Sequence, residues 1–556
     1  MPDFNFVGGA YTAASLTQDA QDLVNYYPQI DQYLNTLSVV SPADRQVMAL
    51  YPRPGLTLKA TPGPSAPVRG LRVIPGGQTL FAVVGSGLYS INTAYQAVLV
   101  GTLLTSNGPV SMTDNGVSLY LCDGPNRYYY TYSAASYNGT TVGTTLTVNS
   151  MTSGALVLGQ TVVGAGITSG TVVTAFITGT GGTGTYTLST SQNVGPEAMT
   201  SGAFTVVPST DGAFMGASTV DVMDNFFIYN NPNKNQWGAT SVLSPTSPQL
   251  SFTSTFISPG NVVGIIADHR YVYILQEYTG EVYTDQGLFP FPFQIMGGTS
   301  IQHGLAARGS ISRLGEGFAF LSSDKRGQGV VILMNGYTPT RISTNAIEDS
   351  IQGYTQNSTI TDAIAYTYQI GGNEFYVLTF PTADATWVYD VSTKLWHREG
   401  WRDTNNVLHR HRGNCSEVFG GNVIVGDYQN GQIYMLDPEN NSDNGVVFPC
   451  MRRARHLTAD LKRMFFDDLQ IQFQPGVGLQ TGQGSNPQAM LRWSDDGGFT
   501  WSKERWAFIG KAGKYKNRCR WPRLGYARDR IFEVTVTDPV FRVIVSANLN
   551  SSVGAH

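Results

Sequence analysis

The sequence predicts an all-β fold: a six- or seven-bladed β-propeller with an inserted β module, followed by a C-terminal antiparallel β-sandwich acting as a platform. Three observations predict it. Short apolar runs return directly after turn signals, usually about 40 to 50 residues apart. Sixty-two glycines and 27 prolines punctuate a chain in which 13% of residues are charged, against roughly 25% in an ordinary soluble domain. Helical periodicity is confined to two short candidates, residues 17–27 and 342–354. At 556 residues the chain is too long for one core, so two or three domains are expected.

Residues 1–68 read as a lead-in that packs with the C-terminal platform. Phe6-Val7-Gly8-Gly9-Ala10-Tyr11 and Asn25-Tyr26-Tyr27-Pro28 are strand and turn pieces, and Pro52, Pro54, Pro62, Pro64 and Pro67 mark a stiff linker. The opening Met1-Pro2-Asp3 lacks the positive and apolar regions of a secretory signal. No apolar stretch reaches the ~18 residues of a membrane span.

The propeller is expected over 69–437. Its runs are Leu80-Phe81-Ala82-Val83-Val84, Leu119-Tyr120-Leu121-Cys122, Phe226-Phe227-Ile228-Tyr229, Tyr271-Val272-Tyr273-Ile274-Leu275, Phe318-Ala319-Phe320-Leu321, Phe375-Tyr376-Val377-Leu378 and Val423-Ile424-Val425. Runs of this kind, without polar alternation, mark strands covered on both faces, as when each blade covers the next. The last run either completes the first blade or forms its own, which leaves both blade numbers open. Residues 128–210 contain one charged side chain, Glu197, in 83 positions, and Gly, Thr, Ser and Val dominate. This is β propensity with glycine turns. Removing about 70 residues restores the repeat spacing, so 134–204 is read as a module hanging from a blade loop, where insertions cost little.

Residues 438–556 alternate with period two in Leu469-Gln470-Ile471-Gln472-Phe473, Met490-Leu491-Arg492-Trp493, Phe532-Glu533-Val534-Thr535-Val536 and Phe541-Arg542-Val543-Ile544-Val545, as half-buried sandwich strands do. Ser494-Asp495-Asp496-Gly497-Gly498-Phe499-Thr500-Trp501 matches the Asp-box, S-x-D-x-G-x-T-W. Its physics is local. Asp496 accepts backbone N–H groups across a hairpin turn flanked by Ser494 and Thr500, Gly498 supplies positive φ, and Trp501 plugs the core beneath.

Chemistry-bearing motifs are scarce. There is no GxSxG, HExxH, P-loop or recognisable carboxylate pair, and no set of arginines, tyrosine and acids of the sialidase kind. Residues 179–184 satisfy GxGxxG, but Tyr186-Thr187-Leu188-Ser189 after them reads as a strand, so a glycine-rich hairpin is expected in place of a phosphate site. Cys122, Cys415, Cys450 and Cys519 lie far apart and read as reduced, mostly buried thiols. His409 and His411 would share one strand face, and without a third ligand they read as a surface pair. No catalytic residue, cofactor or metal is assigned.

The net charge of −4 hides an asymmetry: residues 451–530 hold 16 basic and 7 acidic side chains, leaving 19 basic and 32 acidic elsewhere. A basic end on an acidic body suggests a negatively charged partner at that end.

Several segments together resemble one family. They are Phe6-Val7-Gly8-Gly9-Ala10-Tyr11, Asn25-Tyr26-Tyr27-Pro28, Arg341-Ile342-Ser343-Thr344, Glu374-Phe375-Tyr376-Val377-Leu378-Thr379-Phe380-Pro381, Thr386-Trp387-Val388-Tyr389-Asp390, Leu395-Trp396-His397-Arg398-Glu399, the Asp-box block, and Arg523-Leu524-Gly525-Tyr526-Ala527-Arg528-Asp529. In this order they are similar to the packaged-DNA stabilisation proteins, or tail nozzles, of short-tailed bacteriophages. Residues 134–204 fall outside and look like a β-rich module recurring in phage tail and fibre proteins.

The resemblance implies a non-enzymatic virion protein, made in the host cytoplasm. It forms a hexameric ring beneath the portal and its adaptor, and closes and later conducts the DNA exit channel, with tail fibres or spikes as further partners. On this reading Arg452, Arg453, Arg455, Lys462 and Arg463 are candidate contacts to an acidic adaptor surface. Passing genomic DNA is contacted weakly, and the insertion projects distally toward its own copies or a host-surface glycan. The competing class is a carbohydrate-active propeller, a glycosidase or a glycan-binding adhesin.

Overall fold

The structure, a computed structural model, describes residues 6–30, 48–168, 171–323 and 329–554. The Met1-Pro2-Asp3 opening lies outside them.

From Val68 onward the chain lays down antiparallel sheets one after another, each with its apolar run in a central strand. The first sheet is Val68–Val73, Thr79–Val84, Gly87–Asn92 and Ala97–Thr102. The second is built on Ser111–Asp114, Ser118–Cys122 and Arg127–Val142, with Val194–Val206 as its outer strand. The third opens with Val220–Met223, the fourth with Val262–Asp268 and the sixth with Ile364–Ile370. The fifth has its inner edge broken into Gly304–Leu305 and Ser312–Leu314.

The last sheet is Gly413–Phe419, Asn422–Asp427 and Ile433–Asp437, and its outer strand is Gly55–Ala60 from the N-terminal side. That makes seven sheets, and the Val423-Ile424-Val425 run has one of its own. The region read as a proline linker therefore contributes a strand. Leu56 pairs with Leu436 and is fully buried, an apolar partner that the propeller's last sheet would otherwise lack.

Apolar cores lie between neighbouring sheets. Phe81 and Leu88 pack with Leu119 and Tyr128 across the first gap, and Tyr120 with Phe227 across the second. Val68 and Leu80 pack with Ile424 and Ile433 where the last sheet meets the first. The ring is sealed there by Asn414, whose side-chain amide donates to Val68 O over 2.8 Å.

The expected helix at 17–27 is two strands, Ala20–Val24 and Tyr26–Ile30, hinged at Asn25 (φ 57°). Tertiary partners override a weak local preference. Leu23 pairs with Arg452, Val24 with Arg398, and Tyr26 with Pro52, while the Asn25 side chain accepts from Arg53 Nε and Gly400 N. The second candidate forms, as the helix Asn345–Asn357.

Strand Ala20–Val24 lies between the sixth propeller sheet and Cys450–Arg453, so that sheet runs on through Asp529–Val536, Gln488–Ser494 and Arg505–Phe508. The facing sheet of the sandwich has the order Tyr26–Ile30, Met48–Pro52, Ile544–Val553, Met464–Phe473, Cys519–Ala527. The strand expected from Phe541 begins at Ile544. Arg542 before it is buried, and its guanidinium donates to Phe448 O and Asp538 O.

Within the second sheet, Arg127–Val142 and Val194–Val206 pair as one long ribbon that carries the module outward. Its own core includes Tyr137, Leu146, Val162, Tyr186 and Met199. The module is thus a continuation of two strands, where a loop attachment was expected. Phe204 belongs to the propeller: it stacks on Tyr128 at 5.6 Å and lies against Gly101. The GxGxxG stretch is the expected turn. Tyr186 Oη accepts from Gly181 N and donates to Gly182 O, and this fills its concavity.

Candidate assembly surface

Three of the segments that carry the resemblance meet at one junction. Gly8 and Gly9 lie where a Cβ would stand 3.1 Å from Arg452 Nη2 and 2.9 Å from Trp396 O, so only glycine lets the lead-in approach so closely. Ala10 N donates to Trp396 O, and Trp396 Nε1 donates to Ile342 O. Ser343 Oγ and Arg341 Nε both donate to Glu348 Oε1, fastening the helix to the fifth sheet.

Arg452 is the centre of this junction, and its assignment as an adaptor contact is corrected. It is fully buried, donating from Nε to Phe6 O (2.7 Å), from Nη1 to Gly9 O (2.9 Å) and from Nη2 to Gln21 Oε1 (2.7 Å). Burial pushes its pKa down to about 10, against the pull of Asp22 and Asp19. Cys450 and Met451 before it are buried as well, so this strand is covered on both faces and the charge count could not tell that its arginine points inward.

Arg453 is half-buried on Glu533, which it shares with Arg492. Arg455, Lys462 and Arg463 are exposed. Arg455 lies 3.7 Å from Asp19, and Arg463 covers the Tyr526 ring at 4.8 Å.

The Asp-box occupies the connection between Gln488–Ser494 and Arg505–Phe508. Asp496 Oδ1 accepts from Ser494 Oγ (2.7 Å) and Thr500 N (2.9 Å), and Oδ2 accepts from Thr500 Oγ1 (2.5 Å). The Thr500 bonds lower its pKa to about 2. Gly498 has φ 99°. Trp501 is half-exposed and not a core plug: the guanidinium groups of Arg453 and Arg492 lie 4.9 and 4.8 Å from its ring.

The exposed basic surface lies further on. Residues 503–528 hold nine Lys or Arg and one acid, Glu504, and all ten side chains are exposed. Arg520 pairs with Asp468, whereas Lys503, Lys511, Lys514, Lys516, Arg518 and Arg523 make no ion pair among the described residues. Trp506 (58% exposed), Phe508 and Tyr515 (71% exposed) stand among them. Arg505–Phe508 and Cys519–Ala527 are the edge strands of the two sandwich sheets and face one another here, with Trp521 Nε1 donating to Arg505 O. Exposed aromatic and cationic side chains together make this rim a candidate binding surface. The run of lysines around Tyr515 was the sequence signal for it.

Other candidates resolve as structure. His411 is buried on Tyr366, with its pKa pushed down to about 4 by burial, while His409 bonds Asp384 and stacks on Trp401 at 4.7 Å. The expected surface pair is therefore split between interior and rim. All four cysteines are free thiols, and Cys122, Cys450 and Cys519 are buried. Among the described residues no three His, Cys, Asp or Glu are grouped as metal ligands, and no helix is long and apolar enough to cross a membrane.

A family profile described as bacteriophage P22 Gp10, beta-propeller, matches residues 16–441, and one described as bacteriophage P22 Gp10, beta-sandwich, matches residues 450–552. No curated protein matches the chain. Among solved structures, the extracellular domain of a putative one-component system from B. thetaiotaomicron is similar at 11% identity and TM-score 0.38. That match covers 81% of this chain and 47% of the other, so the chain spans about half of it. The WD40 β-propeller domain of Doa1 is similar at 9% identity and TM-score 0.33, over 68% of this chain and 96% of that one.

Proposed function

The chain belongs to the family of bacteriophage P22 Gp10, and from that premise we propose that it is the tail nozzle of a short-tailed phage. The family makes it a structural protein of the virion. The finer role is our reading: six copies form a ring beneath portal and adaptor, close the exit channel over packaged DNA and conduct the DNA on ejection. Residues 1–68 and the sandwich then form the adaptor-facing end, and the insertion the distal end.

The observation that carries this is the polarity of the molecule. The sandwich continues the sixth propeller sheet and the insertion continues the second. In a ring of seven these are three sheets apart one way and four the other, the greatest separation available. The sandwich end carries the exposed basic and aromatic rim. Rim charges of this kind set encounter rate and register on an acidic partner more than bulk affinity.

Electron microscopy of the protein, with and without portal–adaptor complex, tests the reading. Closed six-fold rings on the adaptor are expected. The combined Lys511→Glu, Lys514→Glu and Lys516→Glu variant should dock weakly and lose its salt dependence. Undiminished docking of that variant would move the interface elsewhere, and a monomer that ignores the adaptor would sink the nozzle role.

A further inference from the structure

The centre of the propeller holds a recess of about 960 Å³ that the assembly role does not use. It is lined from five successive sheets, and its volume is that of a small-molecule site. Its one guanidinium is placed by the break in the inner edge of the fifth sheet. Between Gly304–Leu305 and Ser312–Leu314 the chain leaves its own sheet, and Gly309 bridges to Ile364, with Ala365 N donating to Gly309 O over 2.7 Å. Arg308 sits in this detour, half-buried and lining the recess. Among the described residues it makes no hydrogen bond or ion pair. Across from it Gly124 (φ 106°) leaves open the space in which a Cβ would stand 3.6 Å from Arg308 Nη1.

The rest of the lining mixes apolar side chains, such as Val262, Leu305 and Ile364, with a few acceptors. Asp362 Oδ2 accepts from Thr382 N and Oγ1, while its Oδ1 is buried without a partner. Glu277 Oε1 accepts from Asn261 Nδ2 over 2.9 Å. Tyr278, 43% exposed, contributes an aromatic ring to the lining.

These groups narrow the ligand by elimination. Two carboxylates in the wall disfavour a phosphate chain or nucleic acid. An unpaired guanidinium disfavours a cation and seeks one planar anion, which it grips with two parallel hydrogen bonds. The carboxylates and amides then need donors, and the tyrosine ring needs a flat apolar face. We propose that this recess binds an acidic saccharide, a pyranose ring carrying a carboxylate: Arg308 takes the carboxylate, Glu277 accepts from ring hydroxyls, and Tyr278 stacks on the sugar face.

Titration calorimetry of the full chain with α-1,4-trigalacturonate, its methyl ester, 3′-sialyllactose, lactose and citrate tests it. One of the two acidic sugars is expected to bind, showing whether a uronate or a sialic acid is the source. Its ester or neutral counterpart should bind about tenfold more weakly, the loss of one charge-assisted bidentate contact. Arg308→Ala should lose about the same factor, and Tyr278→Ala less, with melting temperatures unchanged. Arg308→Lys keeps the charge without the fork and should also weaken binding, which keeps the test open should the alanine variant not fold. The inference falls if neither acidic sugar saturates at millimolar concentration, if Arg308→Ala binds as well as the parent, or if citrate competes equally, the mark of a bare anion site.

Discussion

Arg452 and Lys462 stand ten positions apart in one basic stretch and do opposite things. Arg452 ties the lead-in to the sandwich by donating to the backbone carbonyls of Phe6, Gly9 and Asp22. Arg452→Met is expected to destabilise by about 3 kcal/mol in urea titration, because buried acceptors are left unpaired. Lys462→Glu should change stability by under about 0.5 kcal/mol, as exposed substitutions do.

His411 supplies the pH response at this scale. Burial, with Arg53 beside it, lowers its pKa from 6.5 to about 4. A histidine depressed by folding contributes stability that is complete above the unfolded pKa and is lost as pH falls from 6.5 toward 4. The loss by pH 5 is on the order of 2 kcal/mol. His411→Phe should flatten that part of the stability profile between pH 7 and 5. An equal slope in the variant would place the proton uptake elsewhere.

Among elements, the ribbon Arg127–Val142 with Val194–Val206 decides where the insertion ends. Thr131 pairs with Ala203, so removing 134–201 and closing with an Asn-Gly turn leaves a two-strand blade edge intact. That protein is expected to melt near the parent temperature and to dock normally, with any defect confined to the distal end. Extending the deletion to 204 removes the half-buried Phe204 from Tyr128 and should cost about 1 to 3 kcal/mol, less than losing a fully buried phenylalanine. Paired thermal melts of the two deletions read the difference directly. If the shorter deletion unfolds, the module is part of the core.

At the scale of the whole molecule, charge is divided between ends. Outside 451–530 the balance is 19 basic to 32 acidic residues, which fits the proposed nozzle role, since an acidic surface does not hold passing DNA. Duplex DNA is expected to bind more weakly than about 10 μM at physiological salt, and what binding there is should fall steeply with ionic strength. Filter binding across a salt series checks this, and tight, salt-resistant retention would contradict it. Closure is the other whole-molecule property. Leu56 joins chain segments 380 positions apart in the last propeller sheet, so Leu56→Ala should cost about 2 to 5 kcal/mol.

What the sequence determined by itself follows from local physics. Unalternated runs such as Leu119-Tyr120-Leu121-Cys122 between turn signals read as strands covered on both faces, the Asp-box reads as a hairpin turn, and the segment with one charge reads as β-rich, although how it joins the propeller does not show in the sequence. Tertiary structure decided what depends on partners distant in the chain. Residues 17–27 became strands because Arg398, Arg452 and Pro52 waited at their edges, and Gly55–Ala60 left its proline neighbours to complete the last propeller sheet. The basic residues divided between interior and surface for the same reason. A charge count registers that a side chain is an arginine, whereas only packing settles whether a carbonyl or the solvent meets its guanidinium.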